Sequence, residues 1–212
     1  MAIPSRQIGW GTESNLLWQI LKQLTRLTST LFSLKEAATP KYKVYTALLT
    51  QSGGSDPVST SSSGDPIIIG QTYMIEDNGG SGWDFTNIGA PNNNIGTYFI
   101  ATGTTPNSWG IDSQLNYNTG APVATVLENT IGNIWFTYDS VGIYNVNSNS
   151  LFIENKTYLP TANIDISLVA SSEKFLLSGW NSENILTLNN TDASFVSTND
   201  IGRGYLEIRV YN

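Results

Sequence analysis

Residues 15–34 read NLLWQILKQLTRLTSTLFSL, and beyond Pro40 residues 41–53 read KYKVYTALLTQSG. In the first stretch Leu17, Ile20, Leu24, Leu27, Leu31 and Leu34 are spaced alternately by three and four. Every one of them therefore takes an a or d position of a heptad. In the second stretch Tyr42, Val44, Thr46 and Leu48 alternate with Lys43, Tyr45 and Ala47, and both sets are rich in strand formers. The apolar period changes from about 3.5 to about 2 across the proline, which predicts a helix followed by a β body.

The helix is expected over residues 16–36, about 22 residues and roughly 33 Å long. Thr12 or Ser14 serves as N-cap and Pro40 as the stop. A helix of this length is marginal alone in water, so its seam has to be covered, by the chain's own β body or by further copies. Leu16 and Leu21 widen the apolar face beyond a two-stranded seam and favour three or more helices. No buried Asn fixes the number.

Past Leu48, residues Ser52 to Asp65 are Ser- and Gly-rich and read as a polar linker or exposed excursion. Strand candidates then recur at short intervals: 66–69, 71–76, 97–102, 122–128, 134–138, 142–146, 150–154, 164–170, 174–178, 185–188 and 204–211. Turn signals such as Asn78-Gly79-Gly80, Pro91 to Asn94 and Asn189-Asn190 separate them. Many short strands with such punctuation predict a mainly β protein with a sandwich or jelly-roll-like body and no second helix.

Composition restricts the chemistry. Hydrophobic residues make up 40% of the 212, so a core is expected rather than disorder. Charged residues are only 13%, well below the roughly 25% of an average domain, a profile that suits extracellular or virion β proteins. Cysteine and histidine are both absent, which excludes Ser-His-Asp and Cys-His catalysis and zinc sites built on imidazole or thiolate. Carboxylate chemistry and oxygen-ligand metals stay open. Residues 1–43 carry a net +4 and the remainder −11, so no nucleic-acid surface is expected. No apolar run of membrane length occurs and Met1 to Trp10 has no apolar core, so neither a span nor a signal peptide is expected.

No carboxylate pair stands out as catalytic. Glu76-Asp77 reads as a solvated turn, and the oxygen-rich segment Asp77 to Asp84 lacks the order and terminal Glu of a calcium loop. No catalytic, cofactor or metal residue is assigned. Among the tryptophans, Trp135 in Ile134-Trp135-Phe136 reads as core, while Trp83 and Trp180 stand beside Gly, Asp or Asn in expected loops and are candidates for glycan contact.

The stretch Lys41 to Gly53 resembles the start of a module found in structural proteins of tailed bacteriophages, and Ala121 to Gly132 is similar to its continuation. Between them, Gly70 to Ile75, Asp84 to Ala90 and Gly96 to Pro106 resemble a second phage-associated unit. Residues 65–117 are therefore expected as a small β lobe inserted into a body of residues 41–53 and 118–212. Ile3 to Trp10, with Glu13 to Trp18 behind it, is similar to the opening of several phage particle proteins. The resemblance implies a non-catalytic fibre, collar, tail or head-decoration component located in the virion. It implies a homotrimer whose segment 1–15, through Ile3, Pro4, Arg6, Ile8 and Trp10, docks to other virion proteins. A receptor- or glycan-binding adhesin and a polysaccharide-degrading tail enzyme are the alternatives.

Overall fold

The structure is a computed structural model that describes residues 11–38, 41–51, 54, 57–61, 66–78, 82–110, 112–160, 163–165, 174–192, 194–199, 201 and 204–212. The chain divides into two compact units, residues 1–41 and 42–212. The first holds one helix, α1, over Thr12–Ala38. Its 27 residues span about 40 Å, longer than the sequence predicts. The amide of Asn15 donates to the Gly11 carbonyl, so Gly11 occupies the N-cap position, and both expected caps, Thr12 and Ser14, lie inside the helix.

The second unit is mainly β, built of thirteen strands in three antiparallel sheets among the described residues. These are β1 (Tyr42–Thr50), β2 (Pro57–Ser61), β3 (Thr72–Asn78), β4 (Tyr98–Ile100), β5 (Ser113–Asn118), β6 (Val123–Asn129) and β7 (Ile134–Ser140). They continue with β8 (Ile143–Ser148), β9 (Thr157–Tyr158), β10 (Asn163–Asp165), β11 (Lys174–Trp180), β12 (Ile185–Asp192) and β13 (Gly204–Tyr211). One sheet has the order β6-β1-β13-β9, the second β10-β11-β12-β8-β7 and the third β2-β5-β3-β4.

The first two sheets share one core, which makes the architecture sandwich-like. The period-two pattern of β1 turns Tyr45, Ala47 and Leu49 inward, beside Leu206, Ile208 and Val210 of β13 and Ala124 of β6. From the other sheet Phe136, Tyr144, Val146, Leu176, Leu186 and Leu188 meet them. The third sheet has a separate core of Tyr73, Ile75, Phe85, Ile88, Phe99 and Leu115. It spans residues 57–118, and the strands on either side of it in sequence, β1 and β6, pair directly with each other.

Several expectations are corrected. Residues 66–69 form no strand: Pro66 has no amide to donate, and Gly70 at φ +86° turns the chain, with the Gln71 amide donating back to Ile68. Residues 150–154 are likewise irregular, broken by Ser150 and Asn155 at φ +55° and +60°. The polar stretch 52–65 contains β2, whose Thr60 is buried, and β5 was hidden by the same polarity; ladder bonds along a sheet need no apolar side chain. Asn189-Asn190 is not a turn but part of β12, where the Asn190 amide group donates to the Thr198 carbonyl at 2.8 Å. Glu76 and Asp77 lie in β3, at a bulge. Trp135 is only half-buried, on the strand side opposite to Ile134 and Phe136.

Two buried phenols in the shared core behave oppositely. The Tyr144 hydroxyl donates to Gln51 Oε1 at 3.1 Å, whereas the Tyr45 hydroxyl is buried with no partner among the described residues. Tyr144→Phe should therefore lower stability by about 1 kcal/mol, while Tyr45→Phe leaves it equal or higher, as thermal melts will show. Burial pushes the Tyr45 phenol well above its usual range. Its folded pKa is raised, so its share of stability is complete below the unfolded value of about 10 and is lost as pH climbs beyond it. Alkaline unfolding should be shallower in Tyr45→Phe, and equal pH profiles would refute this.

Candidate self-association surface

The helix places its seam on one stripe. Each of Leu17, Ile20, Leu24, Leu27 and Leu31 exposes more than half of its surface, from 53% for Ile20 to 67% for Leu17. Every described side chain from Asn15 to Ser33 is exposed. The sixth seam residue, Leu34, lies in the helix, but its side chain is outside the described set.

The flanks of the stripe are unusual in carrying almost no charge. The e positions are Leu21, Thr28 and Lys35 and the g positions Leu16, Gln23 and Thr30. The Thr28 hydroxyl donates to the Leu24 carbonyl at 2.8 Å and that of Thr30 to Arg26 at 2.9 Å. Both hydroxyls are thus satisfied inside the helix and could be covered without stranding a polar group. The charges sit away from the seam: Lys22 is at an f position, with its ammonium 3.8 Å from the centroid of the Trp18 ring at a b position.

The proposed docking residues Ile3, Pro4, Arg6, Ile8 and Trp10 lie outside the described residues. Of the two candidate glycan tryptophans, Trp83 is half-buried, its ring 6.1 Å from Phe85 against the core of the third sheet. Trp180 ends β11 with 39% of its surface exposed. The two belong to different parts of the β unit and are not brought together in any described contact.

Three of the described carboxylates, Asp84, Asp192 and Glu207, are occupied by several partners within the fold. Asp84 Oδ1 accepts from the Thr86 amide at 3.0 Å, the Thr86 hydroxyl at 2.6 Å and Asn93 Nδ2 at 3.2 Å, and its Oδ2 from Asn107 Nδ2 at 2.8 Å. The Thr86 hydroxyl, then Asn107, hold its carboxyl well below the usual carboxylate range. It ties the β3–β4 connection to the β4–β5 connection rather than offering a free ligand. Glu207 accepts from Tyr205 and Arg209, and Asp192 Oδ1 from the amides of Ser194 and Val196. Among the described residues no cluster of three metal-ligating side chains forms, and no helix is long and apolar enough to cross a membrane. The chain matches no protein-family model, no curated protein and no solved structure.

Proposed function

We propose that the chain is a non-catalytic structural component of a tailed-phage particle, a homotrimer held by a coiled coil of α1 and displaying a jelly-roll-like β body. The observation that carries this is the exposed leucine seam. Five apolar side chains in one stripe are costly to leave in water, at roughly 25 cal/mol per Å² of apolar surface. An identical stripe on a second and third copy matches it at every level, because each height presents Leu or Ile. Leu at the a positions with Ile20 at d, and flanks in which Lys35 is the one charged residue, favour more than two helices.

The particle assignment rests on the resemblance of residues 3–10, 13–18, 41–53, 70–75, 84–90, 96–106 and 121–132 to phage structural proteins. In this reading residues 1–15 dock to other virion proteins, residues 65–117 are a lobe inserted between the paired strands β1 and β6, and three bodies face outward. Multivalency then strengthens weak contacts with a host surface. The occupied state of Asp84, Asp192 and Glu207 supports a role without catalysis.

Light scattering at micromolar concentration should give three times the 23.1 kDa chain mass, and mass spectrometry of purified particles should find the chain. A monomer absent from particles sinks the reading.

A further inference from the structure

A recess of about 240 Å³ lies between the third sheet and β7. Its position follows from register. Met74 of β3 stands opposite both Tyr98 of β4 and Asn116 of β5, so the three share one face of the sheet. Thr137 and Tyr138 of β7 close the other side, and Tyr117 also lines it.

The two walls are fastened to each other. The Phe136 amide donates to the Thr72 hydroxyl at 3.0 Å, Asn133 Nδ2 donates to the Tyr98 carbonyl at 3.1 Å, and the Tyr98 ring stacks on Trp135 at 5.6 Å and 12°. The recess is thus preformed, which removes the ordering cost that a mobile site would charge against affinity.

Part of the polar lining is used by the fold: the Tyr73 hydroxyl accepts from the Ile68 amide, Asn118 Oδ1 from the Gly120 amide and the Thr137 hydroxyl from Asn147 Nδ2. Among the described residues, the hydroxyls of Tyr98, Tyr117 and Tyr138 and the side-chain amide of Asn116 make no hydrogen bond, although all four residues are half-buried. A shaped hollow with aromatic and apolar walls and a few convergent donors and acceptors is the usual form of a small-ligand site. Among the described residues none that lines the recess is a carboxylate, Lys or Arg. An anionic ligand would find no counter-charge, and a substrate would find no acid or base.

We propose that this recess binds a pyranose ring of a neutral saccharide. Such a ring has an apolar C–H face for the tyrosine rings and a rim of hydroxyls that both donate and accept, as the phenol and amide groups do. A single ring of about a dozen non-hydrogen atoms is expected to bind with a Kd of millimolar order. The inference goes beyond the structural role proposed above and does not depend on the chain being trimeric.

The test uses the full chain and saturation-transfer NMR with a panel of neutral methyl pyranosides, comprising gluco, galacto, manno and N-acetylglucosamine forms, with methyl glucuronide as the anionic probe. At least one neutral glycoside should bind in the millimolar range and the glucuronide should not. Tyr98→Phe, Tyr138→Phe and Asn116→Ala remove groups that the fold does not use, so each should melt like the parent while weakening binding at least fivefold. Trp180→Ala should leave binding unchanged. Silence across the neutral panel, unaltered affinity in all three recess variants, or loss of binding on Trp180→Ala each overturns the proposal.

Discussion

Leu24→Asp should reduce the assembled protein to single chains. Leu24 sits at the centre of the seam and exposes 57% of its surface in the single chain, so a carboxylate there is tolerated by the monomer. In the proposed trimer the same position is dry, and an unpaired charge without a partner costs several kcal/mol per copy. Three copies multiply that penalty, which exceeds what a seam of about three heptads can supply. Phe32→Asp is the control: Phe32 is just as exposed, at 65%, but lies at a b position outside the seam, and its variant should keep the parental mass. Equal masses for the parent and Leu24→Asp would remove the coiled coil from the account.

Gly70→Ala should be strongly damaging to the β unit. The Gly70 carbonyl accepts from the Ala124 amide of β6 at 2.8 Å, and its own amide donates to the Ala101 carbonyl beyond β4 at 2.8 Å. One peptide therefore couples the third sheet to the edge of the first. At φ +86° a side chain is strained, and a Cβ would approach the Ala124 carbonyl oxygen to 2.5 Å. Left-handed strain of about 1–2 kcal/mol adds to the weakening of two hydrogen bonds of about 1 kcal/mol each. A loss near 3 kcal/mol corresponds to roughly 6–12 °C in Tm for a unit of this size. Amide exchange should rise first at residue 70 itself and at Ala124, the two donors of these bonds; a melting point within 2 °C of the parent (~0.5–1 kcal/mol) would contradict the coupling.

The legibility of the fold follows the strength of the apolar period. Residues Gly204 to Tyr211 alternate cleanly, and β13 falls on the expected bounds. By contrast β2 and β5 set Ser59, Thr60 and Ser61 against Asn116, Leu115 and Gln114, so that Leu115 is the main apolar anchor and the period-two trace in the sequence is faint. The runs 66–69 and 150–154 have the apolar content of strands, yet positive φ angles at Gly70, Ser150 and Asn155 bend them. Such angles follow from tertiary packing, not from composition.

The same distinction governs the candidate sites. The helix seam is local, so its spacing is visible in twenty residues. The recess draws Met74, Tyr98, Asn116 and Tyr138 from four strands that only the sheet register brings together. Trp83 and Trp180 drew attention as large aromatics near Gly and Asn, but what decides accessibility is the neighbour across the sheet.

The pairing of β1 with β13 has a consequence for how the protein comes into being. Tyr42 meets Tyr211 across a separation of 169 residues, so the central ladder of the sandwich has one of the longest loops the chain can close. At roughly 5–20 residues per second, a ribosome delivers β13 about 10–30 s after β1. For that interval a nine-residue strand with apolar residues on both faces keeps one edge unpaired, since β6 covers only the other. Helices on neighbouring nascent chains that met in this window would bring several unpaired β1 strands together, and mispairing would compete with folding. The charges at Lys41 and Lys43, at the very start of that strand, oppose such contacts between copies.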